Sequence, residues 1–550
     1  MLYFSTILLS VFITVSLIPV MTRLAARFQL VDVPDLRKVH TSPVPRIGGL
    51  AMALGAFVPV ILWITTDGFV RAYLAGAGAL VIFGLLDDLK GLGYKAKFGG
   101  QLLAALVVVI FGGVRIASVG ALLPGTIQLP EWFVITLSLV TIVGVTNAIN
   151  LADGLDGLAG GLSLLGFCCI GYLAYLMGNN IVVLLSLSLA GAIFGFLRFN
   201  THPASLFMGD TGSQLLGYSA IVLAIKTTQG STPFSPVLPL IILGFPVLDT
   251  LTVMVERFRD KRPLFSADKN HFHHRLIRLG LSHTEAVFTI YVIQAMMIVS
   301  AVIFKYYSDW VLMISFAVFS TLIIGSFVAA DRIGFRFKRM PLIDFAFTGW
   351  LRNIRDHNWI IRISFMLAQI IIPVFLLFCC LLPATVPGYI ALVAACLGLC
   401  VLASLIFFRD HLSFCLRIAL YPTIPLILYL IEEGRVGWMS AKMLTLYRLS
   451  FGIIALLVFL TVKFSRRMKG FRLTTMDFLV IFIALVVPNL PEQAIQSYHL
   501  GFLAVEIIVL LFSIEVLITE LRGKFDALIA STLMTLAMLG ILGMRSGMGF

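Results

Sequence analysis

Apolar runs of about 20 residues recur along the whole chain, and this repetition constrains the fold more than any other feature. Each run is long enough to cross a hydrocarbon core of roughly 30 Å as a helix. Backbone polar groups in lipid have to be satisfied within their own segment, which favours helices over open strands. The runs lie at 3–21, 48–66, 71–87, 99–119, 132–149, 156–177, 180–197, 213–229, 236–256, 285–304, 309–330, 359–382, 387–408, 412–431, 443–462, 474–488, 498–519 and 525–544. We therefore predict an all-α polytopic membrane protein with about 18 transmembrane helices.

Composition excludes the other broad classes of protein. Only 12% of the 550 residues are charged and 60% are hydrophobic, whereas soluble domains carry about 25% charged residues. Intrinsic disorder requires low hydrophobicity and is excluded by the same figures. Seven cysteines in a chain of this length are too few for a disulfide scaffold.

The formal charge of +13 indicates either a nucleic-acid partner or a membrane topology. With the N-terminus outside, nearly all of the 40 Lys and Arg residues fall on the cytoplasmic side. The outer exceptions are Arg71, Arg115, Lys226, Lys305, Arg435, Lys442 and Arg545. The positive-inside rule thus explains the charge, and we predict no nucleic-acid partner.

A long basic loop at 331–358 divides the predicted helices into two groups. Eleven spans precede it and about seven follow, which predicts a domain at 1–330, a cytoplasmic linker at 331–358 and an accessory transmembrane domain at 359–550. The accessory domain carries no recognisable motif. Its Arg448 is compatible with two interpretations: it pairs with a glutamate as a structural bridge, or it marks a lipid or glycan path.

Acidic residues collect at the cytoplasmic ends of several predicted spans in the first domain. They are Asp87 and Asp88 in GLLDDLKG, Asp153 and Asp156 in NLADGLDGLAGG, Asp210 in FMGDTGS and Asp249 in FPVLDTL. Ionisable groups at membrane depth are costly and usually functional. Their convergence on one membrane face predicts an active site there.

Each of these motifs also has a simpler interpretation. A DD pair is typical of a solvated helix end, although negative charge opposes the helix dipole at a C-terminus unless a cation is close. The glycine-rich segment is compatible with a capped turn or with a backbone that approaches a ligand. Asp210 suits an N-cap or a magnesium ligand.

The segment 268–286 carries three closely spaced histidines, His271, His273 and His274, next to Arg275. A zinc site, a solvated loop and a phosphate-binding loop are all compatible with it, and the mixture of donors favours phosphate. Ser282 followed by Glu285 three residues later predicts a capping box and the start of a helix.

Five segments together resemble the polyprenyl-phosphate N-acetylhexosamine-1-phosphate transferases, a membrane superfamily. They are HTSPVPRIGGLAM (40–52), GLLDDLKGL (84–92), NAINLADGLDGLAGG (147–161), FMGDTGS (207–213) and DKNHFHHRL (268–276). The resemblance covers about residues 1–330, and its span count resembles the branch that initiates O-antigen of lipopolysaccharide. It implies transfer of a sugar-1-phosphate from a UDP-sugar to polyprenyl phosphate, with release of UMP, at the cytoplasmic face of a bacterial inner membrane.

The resemblance also implies roles for particular residues. Catalytic roles fall to Asp87, Asp88, His271, His273 and His274. A Mg²⁺ ion, for which Mn²⁺ is a possible substitute, would be held by Asp210 and Asn150. Substrate-binding roles fall to Asn147, Asp153, Asp156, Phe207, Arg46, Lys97 and Arg275. One departure is Gly91, because some members have a third acidic residue there.

The expected mechanism is a direct in-line attack by the lipid phosphate, which is mostly dianionic at pH 7 and needs no strong base. A covalent route through Asp87 or Asp88 is the alternative. The histidine segment resembles the branch that uses simple hexosamines, so UDP-GlcNAc is the first expectation for the sugar donor. A homodimer or polysaccharide-assembly enzymes are expected partners, and a transporter or flippase of lipid-linked glycans is the competing function.

Overall fold

The computed structural model describes residues 2–27, 30–32, 43–64, 67–124, 128–263, 270–336, 359–383, 386–434, 441–464, 500–521 and 526–547. It is almost entirely helical, which confirms the predicted fold class. The described residues separate into two compact units, one on each side of the gap at 337–358. The predicted linker therefore lies largely outside the described residues.

The first unit consists of helices of very different length. They are α1 (Leu2–Arg27), α2 (Gly48–Trp63), α3 (Gly68–Lys90), α4 (Tyr94–Ile110), α5 (Glu131–Ala152), α6 (Leu158–Leu176), α7 (Asn180–Asn200), α8 (Gly209–Thr228), α9 (Leu238–Ile242), α10 (Gly244–Arg259), α11 (Phe272–Arg278), α12 (His283–Ile303) and α13 (Asp309–Ile333). A two-residue antiparallel pairing joins β1 (Val31–Asp32) to β2 (Val44–Pro45). Helix α8 packs against α2, α3, α5 and α6 and forms the centre of the unit.

Small residues allow the neighbours of α8 to approach its backbone closely. A Cβ at Gly84 of α3 would lie 2.5 Å from Cα of Thr211. Helices in membranes gain their attraction from such close packing, because lipid offers no hydrophobic drive between them. This contact brings the C-terminal end of α3 beside the N-terminal end of α8.

The predicted ninth span at 236–256 is not one continuous helix. It is divided at Leu243 into α9 and α10. The side chain of Gln294, which is almost fully buried, donates to the carbonyl of Ile242 and accepts from the backbone N–H of Phe245. The broken backbone bonds are thus satisfied by a neighbouring helix, which makes the break tolerable at membrane depth.

The predicted capping box at the start of α12 is confirmed. The Ser282 side chain accepts from the backbone N–H of Glu285, and the Glu285 carboxylate accepts from the backbone N–H of Ser282. Two backbone donors that the helix cannot satisfy internally are therefore satisfied locally.

The second unit is described as helices α14 (Trp359–Leu381), α15 (Gly388–Phe407), α16 (Leu412–Gly434), α17 (Ala441–Phe464), α18 (Leu500–Leu521) and α19 (Asp526–Gly547). The predicted span at 474–488 lies outside the described residues. Arg417 of α16 makes a two-pronged ion pair with Glu515 of α18, at 2.9 and 3.0 Å, and Tyr421 donates to the same carboxylate at 2.8 Å. No sequence motif indicated Arg417. Arg448, for which a glutamate partner was one predicted alternative, lies within electrostatic range of Glu506.

Among the described residues, eleven helices are long and apolar enough to cross a membrane. This finding supports a multi-pass membrane protein. The count of about 18 spans and the outside position of the N-terminus stay predictions.

Candidate active site

The acidic residues at the ends of α3 and α8 lie on either side of one lysine. Nζ of Lys97, on the first turn of α4, is 2.6 Å from Oδ2 of Asp87 and 2.5 Å from Oδ2 of Asp210. This ammonium supplies the cation that a carboxylate at the C-terminal end of α3 requires. Three predicted site residues therefore form one ion-pair cluster.

Asp88 has a different local role from its neighbour. Its carboxylate accepts from the backbone N–H groups of Asp210 and Thr211, at 3.0 and 3.1 Å, and from the Thr211 hydroxyl at 2.7 Å. It therefore caps the N-terminus of α8 across the helix–helix contact. Gly209 is required at this contact, because its φ is +68° and a Cβ there would lie 2.5 Å from the Asp88 carboxylate.

The amides of α5 extend the cluster. Nδ2 of Asn150 donates to Oδ1 of Asp210 at 2.8 Å and to the Ser213 hydroxyl at 2.7 Å. Nδ2 of Asn147 donates at 2.6 Å to Gln101, a buried α4 residue that the motifs did not indicate. Since Asn147 and Asn150 are three positions apart on one helix, both face the same side.

The donor set of this cluster fits a hard divalent cation. Asp87, Asp210 and Asn150 offer carboxylate and amide oxygens, which Mg²⁺ prefers. Oδ1 of Asp87 is buried and has no hydrogen-bond partner among the described residues, although such atoms are normally satisfied. Asp210 and Asn150, the residues predicted to hold magnesium, are thus compatible with it, and Asp87, predicted to be catalytic, adds a further carboxylate.

The glycine-rich segment after α5 places Asp153 near several charges. Burial and the negative charges of Asp210 and Asp88 raise the pKa of Asp153 to about 7, and Arg46 opposes this rise. Backbone bonds join Phe207 to the segment that contains Arg46, because its N–H donates to Pro45 and its carbonyl accepts from Gly48. Arg46, Asp153 and Phe207 are therefore held beside the acidic cluster, as a shared substrate pocket requires.

Asp156 lies in the same segment but has separate partners. Its Oδ2 is 2.7 Å from Nδ1 of His202 and 4.0 Å from Nε2 of His283, and it accepts from the backbone N–H of Ala204. Burial tends to raise the pKa of Asp156, but the His202 hydrogen bond and the nearby imidazole of His283 lower it overall. Neither histidine was predicted from the motifs.

Asp249 organises the histidine segment. Its Oδ2 is 2.9 Å from Nδ1 of His271, and its Oδ1 accepts from the backbone N–H of Phe272 at 2.8 Å. A carboxylate can only accept, so Nδ1 of His271 carries the proton and Nε2 points away from Asp249. The convergence of acidic residues indicated Asp249, but only the structure shows what it does.

The other two histidines of the segment lie beside His271. His273 is 3% exposed, and its Nε2 has no hydrogen-bond partner among the described residues. Burial, with the nearby His274 and His271, lowers the pKa of His273 to about 3. His273 is therefore neutral at physiological pH.

Arg275, predicted to bind substrate, is directed to protein groups in this state. It makes an ion pair with Glu256 of α10 and donates from Nε to the carbonyl of Asn270 at 2.7 Å. Arg257, the next residue of α10, is buried and lines the cavity described below. The sequence did not distinguish Arg257 from the neighbouring basic residues, which together indicate only the membrane topology.

A cavity of about 1070 Å³ lies beside this cluster, and it is lined by part of the predicted site but not by Arg46, Asp153, Phe207 or Arg275. Its polar end is lined by Lys97, Asn147, Asn150 and Arg257, and by the three histidines of the segment. The remaining wall consists largely of apolar side chains from α4, α5, α8, α9 and α10, among them Leu102, Leu139, Val143, Ile221, Leu240, Leu251 and Met254. The first unit therefore combines a charged site with a long apolar wall, which defines a membrane enzyme that acts on an amphipathic anionic substrate.

Comparison with known proteins gives the same class. The model of the family described as "Glycosyl transferase family 4" matches residues 70–228. The chain is 40% identical over 313 residues to a "Probable undecaprenyl-phosphate N-acetylglucosaminyl 1-phosphate transferase" of Bacillus subtilis, which covers 56% of this chain and 87% of the relative. It is 32% identical over 322 residues to the "Undecaprenyl-phosphate alpha-N-acetylglucosaminyl 1-phosphate transferase" of Escherichia coli K12. This alignment covers 57% of this chain and 88% of the relative.

A third relative has a different lipid in its name. The "Decaprenyl-phosphate N-acetylglucosaminephosphotransferase" of Mycobacterium tuberculosis H37Rv is 40% identical over 303 residues, which are 49% of this chain and 74% of the relative. The chain belongs to glycosyl transferase family 4, and the resemblance indicated by its five segments is confirmed.

Proposed function

We propose that this protein transfers N-acetylglucosamine-1-phosphate from UDP-GlcNAc to a polyprenyl phosphate and releases UMP. The cavity carries the proposal, since its polar end suits a diphosphate and its apolar wall suits a prenyl chain. The three relatives support it, because each is named for N-acetylglucosamine and for a polyprenyl phosphate.

In the proposed reaction, an oxygen of the lipid phosphate attacks the sugar-bearing phosphorus of UDP-GlcNAc. The new P–O bond forms as the bond to the UMP oxygen breaks, so UMP carries away the electron pair and the lipid retains a diphosphate-linked sugar. The nucleophile is already mostly dianionic at pH 7. Positioning and charge stabilisation, more than proton abstraction, therefore determine the rate.

The chain's own residues divide this work. Lys97 and Arg257 place positive charge at the polar end of the cavity. Asp249 holds His271 through Nδ1, which leaves Nε2 available to contact a phosphate oxygen directly or through water. Asp87, Asp210 and Asn150 would hold magnesium, which when bound supplies positive charge that neutralises the diphosphate.

The location follows from the charge pattern. With the N-terminus outside, the ends of α3, α5 and α10 and the start of α8 face the cytoplasm, where nucleotide sugars are available. We place the protein in a bacterial inner membrane, as an initiator of cell-envelope polysaccharide synthesis such as O-antigen.

The test is UMP release by the full-length protein in vesicles that contain undecaprenyl phosphate, with Mg²⁺ or Mn²⁺ and a panel of UDP-sugars. We expect UDP-GlcNAc to be the best donor and omission of the lipid to abolish release. No UMP from any sugar would favour the transporter or flippase alternative. With a chirally labelled phosphorus, inversion is expected, and retention would favour a covalent aspartyl intermediate.

A further inference from the structure

A second set of possible metal ligands lies outside the acidic cluster of Asp87 and Asp210. Asp156 comes from the segment after α5, His202 from the segment after α7, and His283 from the first residue of α12. One ligand atom from each of the three lies within 4.8 Å of the other two. Three segments that are distant in sequence thus direct a carboxylate and two imidazoles to one point.

The two imidazoles are arranged around a single carboxylate oxygen. Their ring centroids are 4.1 Å apart and the rings are within 17° of parallel. Oδ2 of Asp156 is 2.7 Å from Nδ1 of His202 and 4.0 Å from Nε2 of His283. Ligand atoms around a tetrahedral zinc ion, at 2.0–2.2 Å from the metal, are about 3.4 Å apart. The two measured distances would therefore change by about 0.6–0.7 Å in a metal-bound geometry, and a pair at the 4.8 Å limit by about 1.4 Å.

His283 is not explained by its protein contacts alone. Both of its ring nitrogens are buried, and neither makes a hydrogen bond of ordinary geometry among the described residues, although the Asp156 backbone lies nearby. Its side chain is only 11% exposed. Leaving a buried polar group unsatisfied is destabilising, so such groups in native proteins usually have a ligand or a function.

We propose that Asp156, His202 and His283 form a second divalent-metal site, selective for ions that prefer imidazole, such as Zn²⁺. Two histidines and one carboxylate are a recurrent ligand set for late first-row metals, whereas Mg²⁺ prefers oxygen ligands. The His202 side chain is 37% exposed, which leaves a coordination position open to water. When bound, the ion would join the segments that follow α5 and α7 to the start of α12 and would neutralise Asp156.

The probe is Zn²⁺ alone, added to full-length protein that was purified with a histidine-free tag and stripped of metal. Zinc content is measured by elemental analysis and affinity by competition with a chromophoric chelator. The expected result is one zinc ion per chain, with at least a tenfold loss of affinity in His202→Gln, in His283→Gln and in Asp156→Asn. Millimolar Mg²⁺ should not displace the zinc. Metal content is the readout, so the result does not depend on the transfer reaction.

Two controls separate this site from general histidine binding. His411→Gln changes an exposed imidazole in the second unit and should leave zinc content unaltered. His274→Gln changes the neighbouring histidine segment and should also leave it unaltered. Equal zinc binding by wild type, His202→Gln and His283→Gln would overturn the proposal, as would loss of zinc in His274→Gln alone.

Co²⁺ provides a test that needs no variant. A site with two imidazoles and a carboxylate should give wild-type protein a visible d–d absorption that saturates at one ion per chain. Addition of Zn²⁺ should abolish this absorption. Absence of the band, or a band that Zn²⁺ does not remove, would contradict the proposed site even if the variants failed to fold.

Discussion

The two units of the chain place charged side chains inside apolar helices in different ways. In the second unit, Arg417 and Glu515 meet in a two-pronged ion pair, and Tyr421 completes the hydrogen bonding of the carboxylate. In the first unit, Lys97 is shared between Asp87 and Asp210, and the second oxygen of Asp87 has no partner among the described residues. The Arg417–Glu515 pair of the second unit needs no further partner, whereas the acidic cluster of the first unit has capacity for a further cation.

This difference indicates which buried charges are structural. A matched pair contributes specific packing and has little reason to bind anything else. A cluster with surplus negative charge, beside a cavity whose buried His273 is neutral, is costly unless a ligand compensates for it. Substitutions in the two units test this distinction.

The largest effect should follow Asp210→Asn. This substitution keeps the shape of the side chain but removes the negative charge of Asp210, which contacts both Lys97 and Asn150. We expect UMP release to fall by about 10²–10³, or roughly 3–4 kcal/mol of transition-state stabilisation. Asp260→Asn, on an exposed turn after α10, is the matched control and should retain activity. Turnover near the wild-type rate in Asp210→Asn would exclude the acidic cluster from the reaction.

In the second unit, Arg417→Met should affect stability more than chemistry. Removal of one partner leaves Glu515, only 10% exposed, without its counter-charge. The free energy of unfolding should fall by about 3 kcal/mol, and the double variant Arg417→Met/Glu515→Met should recover most of it. Thermal unfolding in detergent measures the change in stability. UMP release at a temperature below the unfolding transition measures any change in the reaction rate. A catalytic loss without a change in Tm would mean that the second unit takes part in the reaction.

Lys97→Met tests whether the shared ammonium is needed for catalysis. Without it, Asp87 and Asp210 repel each other and the polar end of the cavity loses positive charge. We expect about a 10²-fold decrease in kcat, with partial recovery in Lys97→Arg. Lys95→Met changes an exposed lysine on the same helix and serves as the control. An unchanged kcat in Lys97→Met would assign Lys97 a purely structural role.

Much of the first unit follows directly from sequence, because apolar length and helix signals act locally. The capping box at Ser282 and Glu285 is one example. The break at Leu243 could not be predicted, since it depends on Gln294, some 50 residues away, which satisfies the exposed backbone groups. Local sequence patterns contain no information about which distant side chain will hydrogen-bond to the backbone groups at a helix break.

The site shows the same limit. Asp87, Asp88 and Asp210 were evident because acidic residues at helix ends within a membrane protein are conspicuous. Gln101, His202 and His283 were not, because single polar residues outside a motif resemble ordinary surface or packing positions. Likewise, Arg417 lies in an apolar helix with no motif around it, so its two-pronged ion pair with Glu515 could not be predicted from the sequence.

The smallest effect concerns the pH dependence of stability at Asp153. Burial and the charges of Asp210 and Asp88 raise its pKa from an ordinary 3.8 to about 7. Between these two values the folded state binds more protons than the unfolded state, so this residue makes stability fall as pH rises from 4 to 7. Asp153→Asn has no carboxyl group to ionise. Its Tm should therefore exceed that of wild type by more at pH 8.5 than at pH 5.5.

Because Asp153 is only partly buried, water reduces the effect, and we expect the Tm difference to change by about 2–4 °C. Intrinsic fluorescence during heating, at matched ionic strength, measures it, with Asp260→Asn as an exposed control. A pH-independent difference would mean that Asp153 is ionised throughout and that its neighbours compensate for its charge. The acidic cluster would then be as fully matched as the Arg417–Glu515 pair, and the contrast between the two units would rest on the cavity alone.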